Sequence, residues 1–260
     1  MTSTAPLIDA LSPPRLGVLA FGDSITNGGG ELQWGVALQS WALWTARALG
    51  LPYTGYAVDG ALVSDVVREQ IPAFTARSAH PDARYELGCL YIGVNDVRAL
   101  DWDARRFTSE HATALAFLTE RCDRVLCVTA PRDLGVPPAG AKVAQLNSIV
   151  AAAARETGAL VLDLGGFGGR EHVMADRVHP TALGQIAIAQ RALAVLAADG
   201  LAPRSDPASM VTYRTTLRGR LRGRATYAYR GAKLRGRAGV LTAAWNVRTR
   251  LQRAAARTPR

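Results

Sequence analysis

The sequence predicts an α/β protein: a three-layer, flavodoxin-like doubly wound sheet of about five parallel strands, followed by a basic C-terminal extension. Three observations carry this expectation. Short apolar runs alternate with longer amphipathic stretches from Leu16 to about Ala198, the pattern of strands joined by helical crossovers. The short runs read as buried on both faces, as strands do when helices cover both sides of a sheet. Glycine-rich pieces, GDSITNGGG, DGA and GVND, follow the first three runs directly, at the carboxyl ends of strands where the sites of open parallel sheets collect.

The elements follow in order. Strands are expected at 16–21 (LGVLAF), 53–58 (YTGYAV), 87–92 (LGCLYI), 124–129 (RVLCVT) and 159–164 (ALVLDL). Helices are expected at about 32–49, 61–71, 104–121, 140–157 and 181–198, each with apolar residues at helical spacing. Trp41 and Trp44, three apart, read as core residues of the first of these. After Gly200 the texture changes to Pro203, Pro207 and then repeated Arg and Gly, so the expected organisation is an N-terminal segment 1–15, a catalytic domain 16–203 and an Arg-rich tail 204–260, helical or disordered.

Composition narrows the class. Hydrophobic residues make up 48% of 260 residues, which suits one well-buried domain plus an appendage and argues against wholesale disorder. No apolar run approaches the roughly 20 residues of a membrane-spanning helix. Residues 1–15 lack a basic start followed by an apolar stretch, and Asp9 and two prolines interrupt the only candidate, so no secretory signal is expected. Cys89, Cys122 and Cys127 cannot all pair within one chain; reduced, structural cysteines in a cytoplasmic protein fit them best. They lack CxxC spacing and nearby histidines, so no metal site is expected. The net charge of +10 is uneven, because residues 204–260 hold 15 Lys plus Arg against one Asp, while the rest of the chain is net acidic. Any attraction to anionic partners, either a membrane surface or a polyanion, would therefore belong to the tail; a solvated, partly helical extension is the plainer reading of it, since its glycines weaken a helix. No specific nucleic-acid motif is present.

The chemistry-bearing residues lie at strand ends. Ser24 stands two residues past Gly22 in FGDSIT, where an apolar strand ends and the chain must turn. It can present a hydroxyl at the sheet edge with turn N–H groups nearby, although such a serine also serves as a turn former or helix cap. A serine nucleophile needs a histidine base and a group to orient it. Of four histidines, His80, His111 and His172 lie in polar, charged or glycine-rich stretches and suit surface roles, whereas His179 has Asp176 three residues before it on a loop. Pro180 keeps that loop from being helical through His179. The pair is either base and orienting carboxylate or a loop ion pair. Acyl transfer also needs oxyanion donors; the N–H of Ser24, the N–H of Gly60 and the side-chain amide of Asn95 are the candidates, and turn residues are the plainer alternative for the last two. The loop from Asn27 to Trp34 can shape a substrate pocket or anchor the next helix through Trp34.

GDSIT at 22–26, Gly60, GVND at 93–96 and DRVHP at 176–180 together resemble the SGNH (GDSL-type) hydrolase family, in order and spacing, over about residues 16–198. The resemblance implies a flavodoxin-like sheet, Ser24 as nucleophile, Gly60 and Asn95 as oxyanion donors beside the Ser24 N–H, His179 as base and Asp176 as its partner. Two departures stand: Gly55 and Ala57 occupy positions where the second block often has asparagine and glycine, and Ile25 replaces a common leucine. The expected activity is hydrolysis of carboxylic esters, acyl or acetyl, through an acyl-Ser24 intermediate, without metal or organic cofactor. The alternatives are an acyltransferase using the same intermediate, with a sugar or other alcohol as acceptor, and a polyanion- or membrane-binding protein acting through the tail.

Overall fold

A computed structural model describes residues 15–33, 36–77, 83–211, 216–234 and 236. Five strands, β1 (Val18–Gly22), β2 (Tyr53–Gly55), β3 (Tyr85–Tyr91), β4 (Cys122–Val128) and β5 (Leu160–Leu162), form one sheet in the order β2-β1-β3-β4-β5. Every pairing is parallel, with Ala20 opposite both Gly55 and Cys89 and Cys89 opposite Leu126. The chain order reverses between β1 and β3, which makes the carboxyl ends of these two strands the switch point where a crevice opens.

Helices cover both faces. α2 (Trp41–Leu49) packs on α7 (Ala182–Ala198), while α5 (Ala104–Arg121) packs on α6 (Ala141–Thr157) and on α3 (Val63–Asp65). α3 continues through a π turn, Val66–Gln70, into α4 (Ile71–Arg77). A four-residue helix, α1 (Ser24–Asn27), follows β1 at once. Side-chain caps start these helices where the chain leaves a loop: Ser40 for α2, Asp103 for α5 and Thr181 for α7 each accept from N–H groups of the first turn.

The core runs through the centre of the sheet. β1 and most of β3 and β4 are buried, and Phe21 meets Phe74 and Phe117 edge-on. Trp41 and Trp44 are core residues, as their spacing indicates. All three cysteines are free and buried, Cys89 in β3 and Cys122 and Cys127 in β4.

Four expectations need correction. β2 and β5 are short and only partly buried, because they end the sheet and have a helix-covered neighbour on one side only. The first long helix begins at Trp41 rather than near 32; the residues before it turn back toward α7, where Glu31 O accepts from Ala182 N. The second runs on to Arg77. His111 is not a surface residue: it is 1% exposed and stacked on Phe107, and burial pushes its pKa down to about 4. Four-residue spacing places it on the face of α5 that also buries Phe107, Ala114, Leu115 and Leu118. His172 is half-buried and stacks on Phe167.

Beyond Gly200, Arg204 N donates to Ala48 O and Gln190 Nε2 to Asp206 Oδ1, so the first residues of the tail lie against α2 and α7. Residues 217–234 form a further helix, α8. Arg230 of α8 pairs with Glu31 at 3.1 Å, and Tyr227 lies under the Arg170 guanidinium. No helix among the described residues is long and apolar enough to cross a membrane.

Candidate active site

β1 ends in a turn that needs glycine. Gly22 has φ of +153°, and a Cβ there would collide with the Tyr91 carbonyl oxygen of the neighbouring strand. Asp23 caps α1, its Oδ1 accepting from Ile25 N at 2.9 Å, and Ser24 opens the helix at 8% exposure. Its hydroxyl therefore stands at the carboxyl edge of the sheet with little freedom to move.

The loop before α7 supplies the partner. Ser24 Oγ lies 2.9 Å from His179 Nε2, and His179 Nδ1 lies 2.7 Å from Asp176 Oδ2. Asp176 Oδ1 also accepts from the N–H groups of Val178 and His179. This close wrap requires Arg177, between them, to take a left-handed backbone at φ +56°, a strain that a loop tolerates when its neighbours hold it. They do: Arg177 O accepts from Gly135 N and its guanidinium pairs with Asp133.

Electrostatics follow from these contacts. The hydrogen bond that His179 donates to Asp176 raises the His179 pKa above its usual value, against burial. Burial pushes the Asp176 carboxyl up, but its bonds from His179 and Val178 outweigh this and hold it below the ordinary range. Asp23 behaves in the opposite way: it is fully buried, Oδ2 has no hydrogen-bond partner among the described residues, and desolvation lifts its pKa to about 7.

The other expected residues converge on the same edge. Asn95 Nδ2 donates to Ala61 O at 3.1 Å, and Asn27 Nδ2 donates to Asp59 Oδ1 at 2.9 Å. These bonds tie the loops after β3 and β1 to the turn that carries Gly60. Gly60 is exposed, has φ of +80° and would meet no atom within 4 Å at a Cβ; glycine serves the backbone conformation there, not close packing. The Asn95 amide keeps a second N–H to offer. Trp34 lies outside the described residues, as do His80 and residues 237–260. Two surface cavities of about 360 and 380 Å³ lie elsewhere, one between α7 and Pro203–Pro207 and one between α5 and α6.

Two residues at this edge are not foreseen from sequence. Gln70, 2% exposed, donates to Gly22 O at 2.8 Å and accepts from Gly22 N at 3.1 Å. Gln185, fully buried, donates to the carbonyls of Ile25 and Gly29 and accepts from Trp41 N. Together they clamp the backbone on both sides of Ser24. The available signal was a glutamine on the apolar face of each helix, a polar group that burial requires to be hydrogen-bonded.

Solved structures share this fold at low identity. An acetylxylan esterase from Geobacillus stearothermophilus is 18% identical with a TM-score of 0.56 over 71% of this chain and 95% of its own. LAE5, an alpha/beta hydrolase from the metagenome of Lake Arreo, Spain, is 19% identical with a TM-score of 0.55 over 72% of this chain and 97% of its own. A catalytic mutant of the former, with a serine replaced by alanine, matches at 19% identity and TM-score 0.54 over 71% and 95%. No curated protein matches the chain. Residues 20–187 match the GDSL-like Lipase/Acylhydrolase family, a span that takes in Ser24, Gly60, Asn95, Asp176 and His179, and the chain belongs to that family as a hydrolase of ester bonds.

Proposed function

We propose that the protein cleaves carboxylic esters through an acyl-Ser24 intermediate, with His179 as general base and acid and Asp176 as the group that orients it. The observation that carries this is the unbroken relay from Ser24 Oγ to His179 Nε2 at 2.9 Å and from His179 Nδ1 to Asp176 Oδ2 at 2.7 Å. With the Nδ1 proton held by Asp176, Nε2 is free to accept the hydroxyl proton. Ser24 Oγ attacks the ester carbonyl carbon as His179 takes that proton. The N–H groups of Ser24 and Gly60 and the free N–H of Asn95 receive the oxyanion. The tetrahedral adduct collapses, His179 gives its proton to the departing alcohol, and water repeats the sequence on the acyl-enzyme to release the acid.

One feature supports this assignment further. Mutants of the acetylxylan esterase described as catalytic replace an aspartate and a histidine three residues apart, the spacing of Asp176 and His179. The relative also places sugar acetates among the first esters to test, beside acyl esters of graded length.

Ser24→Ala tests the assignment directly. It is expected to abolish turnover of a soluble acetate ester and covalent labelling by a fluorophosphonate; retention of either removes Ser24 as nucleophile. The partition of product between free acid and acylated alcohol separates hydrolysis from transfer. The basic tail is read as the surface for an anionic partner, polyanion or membrane.

A further inference from the structure

Six large apolar side chains are exposed among the described residues: Leu32, Val58, Leu100, Leu217, Leu221 and Tyr229. Their placement is not scattered. Leu32 follows α1, Val58 follows β2 two residues before Gly60, and Leu100 follows β3 and Asn95. All three loops leave the carboxyl ends of strands, the edge that holds Ser24. The other three belong to α8, which is tied to that same edge by Arg230 on Glu31, next to Leu32, and by Tyr227 under Arg170. Solitary exposed apolar residues need no explanation, but a set confined to one face does.

The orientation of α8 sharpens this. Gly219, Thr226, Tyr227, Gly231 and Leu234 are partly covered, and they share the side of the helix that also sends Arg230 to Glu31. The opposite side presents Leu217, Leu221, Ala225, Ala228, Tyr229 and Ala232 to solvent at spacings of three and four. Leu217 is 72% exposed, Leu221 55% and Tyr229 67%. Around the helix Arg224 borders this stripe beside Leu217 and Leu221, Arg218 stands within it between Ala225 and Tyr229, and Arg220 lies beyond it toward the docked side; all three are exposed. A docked helix ordinarily turns its apolar side inward; this one turns outward a face on which leucine, tyrosine and alanine stand together with arginine, a composition suited to a lipid interface.

We propose that the carboxyl-edge face of the protein adsorbs to anionic lipid, with α8 as anchor and Leu32, Val58 and Leu100 as the rim that meets the surface around the crevice. The occupant follows from two properties together. Residues 217–234 carry six basic side chains and no acidic one, so a second copy of the helix would repel the first. A nucleic acid would satisfy the arginines but leave the leucines against water and phosphate. An anionic bilayer satisfies both, taking the apolar stripe into its headgroup boundary and the arginines onto its phosphates. If the ester-hydrolase assignment holds, the esters that reach Ser24 are those presented in a lipid surface.

The test uses the full chain and separates the two assignments. Sedimentation with vesicles of equal phosphatidylglycerol and phosphatidylcholine is compared with pure phosphatidylcholine, while turnover of a soluble acetate ester is followed in parallel. The wild-type protein is expected to partition onto the anionic vesicles at least about tenfold more strongly, with the difference falling as salt rises. Leu217→Ser, Leu221→Ser and Tyr229→Ser combined are expected to lower that partition about tenfold or more with soluble-ester turnover unchanged. Arg218→Glu, Arg220→Glu and Arg224→Glu combined should remove the preference for the anionic vesicles. Failure of the wild type to sediment, equal sedimentation by the serine variant, or binding to DNA in place of vesicles overturns the proposal. Loss of soluble-ester turnover in the wild type would instead strike at the catalytic assignment and leave the lipid-facing one standing.

Discussion

The turn that carries Ser24 and the turn that carries Gly60 both stand at the carboxyl edge of the sheet, yet they are built in opposite ways. Around Ser24 the backbone is gripped by two buried amides, Gln70 on both polar groups of Gly22 and Gln185 on the carbonyls of Ile25 and Gly29. Gly60 stands in solvent, its neighbours Asp59 and Ala61 each held by one side-chain bond, from Asn27 and Asn95. The difference matches the two tasks proposed for these turns, nucleophile and oxyanion donor. A nucleophile has to keep its distance to both base and carbonyl, where a misplacement of about 1 Å can cost 100-fold, whereas a donor on a looser turn can follow acyl groups of different size.

The largest effect should come from the rigid side. Asp176→Asn would present an amide to His179 Nδ1 and favour the wrong tautomer, lowering kcat/KM by roughly 10⁴-fold. In the unmodified protein kcat/KM should fall as pH drops through a His179 pKa that Asp176 holds above the ordinary value, because the base must be neutral. In the variant that limb should move to lower pH; a pH–rate profile that stays in place would show that His179 is not the base.

Asn95→Ala should cost about 10²–10³-fold, in kcat rather than KM, since in the proposed mechanism the amide's spare N–H meets the oxyanion only in the transition state. A change confined to KM would make Asn95 a binding or turn residue. Gln70→Ala takes the acceptor from the buried Gly22 N and leaves Gly22 O with Val58 N as its donor, and should destabilise by about 2 kcal/mol in urea unfolding. If that loss were no larger than the one from altering Gly60, the contrast between the two turns would fail.

A pH-dependent consequence belongs to the same rigid turn. Asp23 has a pKa of about 7 when folded, against an ordinary carboxylate value of 3.8. Between about pH 4 and 7 the folded chain holds a proton that the unfolded chain has released, so stability falls as pH rises through that window. Asp23→Asn keeps the bond to Ile25 N and removes the titration. Relative to wild type it should gain on the order of 2 kcal/mol between pH 4 and pH 8, read by urea unfolding at each pH. Parallel curves would mean that Asp23 is ionised in the folded state.

Gly60→Ala should have the smallest effect, about 1 kcal/mol of stability from its φ of +80°, with no steric clash because the space is open. A much larger loss of activity than of stability would show that the Gly60 N–H must be held as tightly as the nucleophile.

The sequence by itself determined the sheet and the pieces of the site. Apolar runs such as LGVLAF and RVLCVT can be buried only as strands covered on both sides, and the four blocks around Ser24, Gly60, Asn95 and His179 stand at strand ends in an order that few folds would bring together. Local chemistry also showed that Asp176 can reach His179, since one turn of chain spans them. Tertiary structure alone decided what depends on distant partners. Gln70 meets Gly22 from 48 residues away and Gln185 meets Trp41 from 144, and nothing near either glutamine announces the partner. The burial of His111, the edge exposure of β2 and the late start of α2 are of the same kind, set by which neighbour covers which face. So is the outward turn of the α8 stripe: the pattern of leucine and arginine is local, but the side that faces solvent is chosen by Arg230 finding Glu31.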